Sequence, residues 1–191
     1  MVGVTGASGA IYAQRFLREA ARRYQEVYLI LSEQAIQVSE TELGVSPGRA
    51  NFHTRNWLGE QFDNIRLLDS RNYFTPPASG SFRHDGMVIV PCSMGTAGRI
   101  ANGISDDLLT RAADVCLKER RPFVVVPREM PMNAIMLRNL ATLAEVGATV
   151  IPACPAWYYK PSTVEDLADT VVARILQSLG QEQSLVREWM H

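Results

Sequence analysis

Short apolar runs alternate with amphipathic segments along the whole chain. The strongest runs, apolar on both faces as in buried parallel strands, lie at Val27–Leu31, 88–90 and 122–127. Weaker runs that predict shorter strands lie at Val2–Val4, Ile65–Leu68 and 149–151. These runs predict a sheet of short and mostly parallel strands.

The segments between the runs have helical periodicity. Apolar side chains recur at helical spacing after residue 10 and over Glu33–Leu43. Ser105 is the predicted N-cap of a helix over 106–120, and Gly147 ends a helix over 132–146. A capping box at 162–165 begins the last helix, which Gly180 ends. The predicted buried stripe of this helix consists of Val164, Leu167, Ala168, Val171, Ile175 and Leu179.

Strands that alternate with helices predict a doubly wound α/β fold. No linker rich in proline, glycine or serine divides the sequence, so we predict one domain over residues 1–191. Residues 44–82 form a long connection, which we expect to be functional or to contact a partner. Residues 181–191 form a C-terminal tail.

Composition excludes several classes of function. The chain has 19 basic and 20 acidic residues, so nucleic acid is not the expected partner. No apolar run is long enough for a membrane span, and no signal peptide is predicted. Cys92, Cys116 and Cys154 are too widely spaced for a disulfide framework or a metal site, and the three histidines are scattered. We therefore expect a cytoplasmic protein without a metal.

Two turns after predicted strands could bind phosphate. The first cradle is residues 5–10 (Thr5-Gly6-Ala7-Ser8-Gly9-Ala10), and the second cradle is residues 91–98, which include Ser93 and Thr96. The N-terminus of a helix presents free N–H groups and a positive dipole end. The hydroxyl groups favour a mononucleotide such as FMN over NAD, and the alternative is two tight turns that bind nothing.

Several charged residues have both a structural and a functional interpretation. Arg128 and Glu129 follow the strand over 122–127, where ligands bind in open α/β sheets, or they form a salt bridge within the turn. Lys118 belongs to a row of charged residues on one helix flank, which is either solvated or directed at an anion. Arg174 lies about 20° from Leu167 on a helical wheel and is expected to border the buried face. These cations favour two phosphorylated ligands side by side. Glu42, considered alone, is interpreted as a solvated surface glutamate.

The motifs together resemble the flavin prenyltransferase (UbiX-type) family, in order and over nearly the whole chain. They are Thr5-Gly6-Ala7-Ser8-Gly9, Pro76-Pro77-Ala78-Ser79-Gly80-Ser81, Pro91-Cys92-Ser93-Met94-Gly95-Thr96, Arg111-Ala112-Ala113-Asp114-Val115, Leu117-Lys118-Glu119-Arg120-Arg121, Val126-Pro127-Arg128-Glu129, Pro155-Ala156-Trp157-Tyr158 and Val171-Val172-Ala173-Arg174-Ile175-Leu176.

The resemblance implies a flavodoxin-like, Rossmann-like fold of three layers. It implies an enzyme that joins a dimethylallyl group from dimethylallyl monophosphate to N5 and C6 of reduced FMN, without a metal. The product, prenylated FMN, would serve a UbiD-type decarboxylase. Relatives of this type assemble as dodecamers built of trimers, with sites shared between subunits. The resemblance therefore implies interface roles for the connection 44–82 and for Leu185–Trp189 of the tail.

The resemblance also implies roles for individual residues. The implied FMN contacts are Gly6, Ala7, Ser8, Ser32, Ser93, Met94, Gly95, Thr96 and Arg128. The implied contacts of the prenyl donor are Tyr73, Lys118, Arg128, Tyr158 and Arg174. The implied catalytic residues are Glu42, Glu129 and Ser8, so that the surface interpretation of Glu42 gives way.

Two departures from the family pattern keep alternatives open. Met136 stands where the family has a histidine, and Pro131-Met132-Asn133 resembles a motif of FMN-dependent cysteine decarboxylases. Those enzymes also need a histidine near the first cradle, which this sequence lacks. A flavodoxin-like electron carrier is the non-enzymatic alternative, but it would not need Arg174 or Glu129.

Overall fold

A computed structural model describes residues 1–48 and 52–187. All strands of the described residues form one parallel sheet in the order β3-β2-β1-β4-β5-β6. The strands are β1 Val2–Val4, β2 Val27–Leu31, β3 Ile65–Leu68, β4 Met87–Cys92, β5 Phe123–Pro127 and β6 Thr149–Val150. The predicted strand 88–90 extends through Pro91 to Cys92, where its register against β5 shifts.

Seven α-helices occur in the described residues. They are α1 Ala10–Arg23, α2 Glu33–Leu43, α3 Thr54–Leu58, α4 Met94–Ala101, α5 Leu108–Lys118, α6 Ala134–Glu145 and α7 Val164–Ser178. Two 3₁₀ turns lie at Pro76–Ala78 and Trp157–Tyr159. The sequence pattern missed α3, which lies inside the connection 44–82.

The sheet is covered on both faces, as in a flavodoxin-like three-layer fold. Helices α1, α3 and α7 bury one face of the sheet, and their core includes Phe16, Trp57 and Ile175. Helices α4, α5 and α6 bury the other face around Leu108 and Phe123. The central strands are consequently buried on both sides, which explains why their sequences are continuous apolar runs. The prediction of a doubly wound, mostly parallel sheet is confirmed.

Three predicted helix starts were wrong by one or two residues. Asp107, not Ser105, caps α5, because the Asp107 carboxylate accepts the Thr110 amide at 2.7 Å while the Thr110 hydroxyl accepts the Asp107 amide. Thr163 and Asp166, not residues 162 and 165, form the capping box of α7. Helix α6 begins at Ala134, because the side chain of Asn133 caps it.

The set of buried residues on α7 also differs from the prediction. Val164, which was assigned to the buried stripe, is 63% exposed at the first helical position. Asp169 and Thr170, which were not assigned to it, are buried. Of the predicted connection and tail, residues 49–51 and 188–191 lie outside the described residues. No helix in the described part of the chain is long and apolar enough to cross a membrane.

Candidate active site at the carboxyl edge of the sheet

The carboxyl ends of the central strands bring the two cradles together. The Thr5 hydroxyl donates to the carbonyl of Pro91 at 2.9 Å and accepts the amide of Ser93 at 2.7 Å. Thr5 is buried, so these bonds join the end of β1 to the end of β4 away from solvent. Ligands of open α/β sheets bind at such a point, where the connections from neighbouring strands diverge.

The first cradle presents backbone N–H groups that have no acceptor among residues 1–48 and 52–187. They belong to Gly6, Ala7 and Ser8, which lie between β1 and α1. Gly6 lies so close to α2 that an added Cβ atom would overlap the Cβ of Gln34. The turn is thus held against α2 with its donors open, which suits an anion.

Glu42 caps the helix that follows the first cradle. Its carboxylate accepts the amides of Gly9 at 2.9 Å and Ala10 at 2.8 Å, and Gly9 itself supplies no side-chain cap. Burial acts to raise the pKa of Glu42, but the Ser8 hydroxyl and the two amides outweigh it, with a smaller contribution from Arg128. The pKa of Glu42 therefore lies below its ordinary value, and the side chain is an anion beside the cradle.

The second cradle is ordered by its own hydroxyl groups. Ser93 caps α4 by accepting the amide of Thr96 at 3.3 Å, and the two hydroxyl groups are 3.0 Å apart. The amides of Met94 and Gly95 have no acceptor in the described part of the chain. Gly95 is exposed, and an added Cβ would meet nothing within 4 Å. This cradle therefore also has open donors, and there is free space beside Gly95.

A cavity of about 400 Å³ lies at the carboxyl ends of β1 and β2. Its walls include Thr5 and Ser32, and Ser32 also caps α2 by accepting the amide of Ala35 at 3.1 Å. Arg99, which was not predicted from the sequence as a site residue, lines the same cavity and donates to the Thr96 hydroxyl at 3.3 Å. The signal was available, since Arg99 lies three residues after Thr96 and so on the same side of α4.

Asp106 and Asp107 hold Arg99 in this cavity. The guanidinium lies 2.5 Å from Asp106 and 3.0 Å from Asp107. Burial works to lower the pKa of Arg99, but these two carboxylates raise it above its ordinary value. Arg99 is therefore a fixed cation beside the two cradles.

Arg128 and Glu129 lie at the end of β5, next to the second cradle. The amide of Arg128 donates to the carbonyl of Cys92 at 3.2 Å, which joins the ends of β4 and β5. The Arg128 side chain is exposed and acts electrostatically on Glu42 and Tyr12. Glu129 accepts the amide of Met130 at 3.1 Å. The salt bridges of the described residues do not include an Arg128–Glu129 pair, so that alternative is not found.

Two aromatic side chains predicted to contact the prenyl donor also lie on this edge. Tyr73 follows β3 and donates from its hydroxyl to the carbonyl of Ser105 at 3.2 Å. Tyr158 follows β6, and its ring lies against that of Tyr159 with 4.2 Å between the centroids. Both side chains are substantially exposed, at 40% for Tyr73 and 55% for Tyr158.

Lys118 and Arg174 do not lie with the other predicted residues in one chain. Lys118 is the last residue of α5, which returns to the start of β5, and it pairs with Glu119. Arg174 lies ten residues after the start of α7, about 15 Å along the axis at 1.5 Å per residue. The expectation that Arg174 borders the buried face was wrong: it is exposed and donates to Gln177 at 2.7 Å, because its neighbours on α7 fill the interface with the sheet.

The described residues include no group of three histidine, cysteine, aspartate or glutamate side chains placed to hold a metal ion. The three cysteines are free thiols, of which Cys92 and Cys116 are buried. Burial raises the pKa of Cys92 to about 12, so this thiol beside the second cradle stays protonated.

Comparison with known proteins agrees with this arrangement. The Flavoprotein family model matches residues 1–176. The flavin prenyltransferase UbiX of Alkalihalophilus pseudofirmus is 43% identical over 188 residues, which cover 98% of this chain and 94% of that protein.

Two solved structures have the same fold. AnUbiX (PadA1), in complex with FMN and dimethylallyl pyrophosphate, superposes with a TM-score of 0.88 at 37% identity, covering 100% of this chain and 96% of that one. A dodecameric FMN-dependent UbiX-like decarboxylase from Escherichia coli O157:H7 superposes with a TM-score of 0.86 at 38% identity, covering 100% and 98%. The chain therefore belongs to the Flavoprotein family and, within it, to the UbiX flavin prenyltransferases.

Proposed function

We propose that this chain transfers a dimethylallyl group from dimethylallyl monophosphate to N5 and C6 of reduced FMN, and that the prenylated FMN serves a UbiD-type decarboxylase. The observation that carries the proposal is the pair of cradles with open amides, which lie beside Arg128 and two carboxylates at one edge of the sheet. The AnUbiX complex with FMN and dimethylallyl pyrophosphate supports two phosphorylated ligands in such a site.

The residues of the two cradles fit FMN. We assign the open amides of Gly6, Ala7 and Ser8 to an anionic group of the flavin, because a helix N-terminus with free donors favours phosphate. The remaining proposed FMN contacts line the same edge and are Ser32, Ser93, Met94, Gly95, Thr96 and Arg128. Reduced FMN, when bound, supplies the electron-rich atoms that accept the prenyl group.

The prenyl donor is proposed to contact Tyr158, with its phosphate on Arg128, and Tyr73 of a neighbouring subunit, because Tyr73 and Tyr158 follow the opposite edge strands β3 and β6 of one sheet. An allylic carbon that loses phosphate develops positive charge, which aromatic faces stabilise. Lys118 and Arg174 lie too far from this edge to join the same site in one chain. We propose that a neighbouring subunit supplies them, in a dodecamer built of trimers; the E. coli relative is also dodecameric.

The bond that breaks joins the allylic carbon to the phosphate oxygen, and the phosphate leaves with the electron pair. Cations that hold the phosphate make this departure easier without a metal. We propose Glu129 and Glu42 as the groups that hold or move protons at the reacting atoms. The Ser8 hydroxyl, which interacts with Glu42, would connect that carboxylate to the bound ligands.

One experiment tests the proposal directly. The protein is incubated anaerobically with reduced FMN and dimethylallyl monophosphate, and the flavin is then analysed by mass spectrometry. A C5H8 adduct is the expected result, and its absence with active flavin would refute the proposal. Glu129→Gln should lower the rate of adduct formation more than it weakens binding of either ligand, and equal losses in both would assign Glu129 a structural role.

The cysteine decarboxylase alternative gains no support from the one motif that suggested it. Asn133 of the Pro131-Met132-Asn133 segment accepts the amide of Met136 at 2.9 Å and caps α6. Met136 itself is half-buried against the core on that face. Release of CO2 from peptides with a C-terminal cysteine, without a flavin adduct, would nevertheless reverse this choice.

We place the reaction in the cytoplasm, since free thiols persist in a reducing compartment. The protein's assembly can be measured by native mass spectrometry. A dodecamer is expected, and a monomer that forms the adduct at full rate would contradict the shared site.

A further inference from the structure

Helices α1, α2 and α3 are joined by side-chain hydrogen bonds that form a closed network. From α1, Gln14 donates to the carbonyl of Trp57 at 2.6 Å, and Arg18 donates to the carbonyl of Leu58 at 2.6 Å. These two carbonyls lie at the end of α3, where a helix leaves its acceptors unpaired. Helix α1 therefore fixes the position of α3.

Helix α3 in turn fixes α2. The indole N–H of Trp57 donates to the Ser39 hydroxyl at 2.7 Å, and Ser39 donates to the carbonyl of Val45 at 3.2 Å. Trp57 is 1% exposed and Ser39 is 0% exposed, so neither group has water as a substitute partner. Leaving a buried donor without an acceptor costs free energy. The Trp57–Ser39 hydrogen bond therefore favours one position of α2 relative to α3.

Glu42 closes the network. It lies three residues after Ser39 on α2 and accepts the amides of Gly9 and Ala10 at the start of α1. We infer that Trp57 is a positioning residue for Glu42: its bond to Ser39 sets the place of α2 at which the Glu42 carboxylate meets the first cradle. We name the set Gln14, Arg18, Trp57, Ser39 and Glu42 the α1–α3–α2 network.

The inference rests on the proposed role of Glu42 at the reacting centre, and it adds residues that contact neither ligand. Ser39 and Trp57 are both buried, and their hydrogen bonds go to each other, to Val45 and to Gln14 and not to the cradles. Their effect on the reaction would therefore pass through the position of one carboxylate. Such an effect lowers kcat and leaves the binding of the prenyl donor unchanged.

The test compares two changes that each remove one buried hydroxyl group. Ser39→Ala removes the acceptor of the indole N–H. Thr54→Val is the control. Thr54 lies in α3, as Trp57 does, and its buried hydroxyl accepts the amide of Phe62 at 2.7 Å. Thr54 does not belong to the α1–α3–α2 network. Each variant loses a buried hydroxyl that makes two hydrogen bonds, Ser39 with Trp57 and Val45 and Thr54 with the backbone of Phe62, so a general loss of stability should affect them alike.

The first measurement is hydrogen–deuterium exchange of peptides that contain Gly9 and Ala10. Ser39→Ala should speed exchange there roughly fivefold, as expected for the loss of one neutral hydrogen bond, whereas Thr54→Val should not change it. The second measurement is flavin prenylation. Ser39→Ala should lower kcat by a similar factor with KM for dimethylallyl monophosphate within about twofold of wild type.

Trp57→Phe keeps the inference testable if Ser39→Ala fails to fold. It removes the N–H donor and should change exchange and kcat in the same direction. The inference would be overturned if Ser39→Ala and Thr54→Val changed exchange and kcat equally, or if Ser39→Ala sped exchange without lowering kcat. The proposed function would still stand in either case, provided that the wild-type protein forms the adduct. If the wild-type protein forms no adduct, the proposed function fails. Independently of that result, unchanged exchange at Gly9 and Ala10 in both Ser39→Ala and Trp57→Phe would show that Trp57 and Ser39 do not position Glu42.

Discussion

Removal of the Glu42 side chain is the most direct test of how the first cradle is held. The carboxylate is the only cap that the described residues provide for the first amides of α1, at 2.9 Å from Gly9 and 2.8 Å from Ala10. Loss of an N-cap costs about 1 kcal/mol, and a negative charge at a helix N-terminus adds about 0.3–1 kcal/mol. Glu42→Ala should therefore lower the free energy of unfolding by about 1–2 kcal/mol at neutral pH.

Glu42→Gln separates the charge from the hydrogen bond. The amide oxygen of glutamine still accepts a hydrogen bond, so this variant should lose only about 0.3–1 kcal/mol. The pKa of Glu42 is lowered from 4.5 in the folded protein, so its stabilising contribution is fully present above pH 4.5. The contribution is lost as the pH falls through the lower, folded-state pKa. The difference between wild type and Glu42→Gln should thus shrink under acidic conditions.

Urea unfolding followed by circular dichroism measures these differences, at one fixed protein concentration because assembly also contributes to stability. Glu40→Gln is the matched control, since Glu40 is exposed on the same helix two residues earlier. The reasoning would be refuted if Glu42→Ala unfolded at the same urea concentration as Glu40→Gln. It would also be refuted if the deficit of Glu42→Gln did not change with pH.

Three further substitutions test other parts of the structure. Gly6→Ala places a Cβ on that of Gln34, and since overpacking costs about 1–3 kcal/mol, FMN affinity measured by fluorescence titration should fall roughly tenfold. Asp169→Ala breaks the bidentate pair with Arg15 at 2.7 and 2.5 Å between α1 and α7, and urea unfolding should show a loss of about 2–3 kcal/mol, less than for a fully buried pair. Arg174→Ala should raise KM for dimethylallyl monophosphate while FMN affinity stays at the wild-type value, and equal changes in both would argue against a contact with the donor phosphate.

The sheet could be predicted from the sequence because its strands are buried on both faces. Continuous apolar runs such as Val27–Leu31 are the direct consequence of that burial, and all six runs are strands in the structure. Helix starts were less certain where several capping residues follow one another. In the segment 105–107 three polar residues could each cap α5, and the choice of Asp107 depends on the reciprocal bond with Thr110.

The parts of the site that were missed depend on contacts between distant residues. Helix α3 has only five residues, too few for a periodic pattern, and its place depends on α1. The α2 sequence alone puts Glu42 in the last turn, where the helix dipole disfavours a negative charge. In the structure the N-terminus of α1 lies against this side chain and reverses that preference.

The positions of Lys118 and Arg174 follow from the direction of the helices. A helix that connects parallel strands begins near the carboxyl edge and returns to the amino edge, so a residue late in such a helix lies far from the ends of the strands. Lys118 is the last residue of α5, and Arg174 follows ten residues after the start of α7. Arg128 is the first residue after β5, and Tyr158 lies in the 3₁₀ turn that follows β6. Both therefore remain at the carboxyl edge. If all four side chains bind one phosphate, two of them must come from another subunit, and a variant confined to monomers should lose turnover with dimethylallyl monophosphate while it still binds FMN.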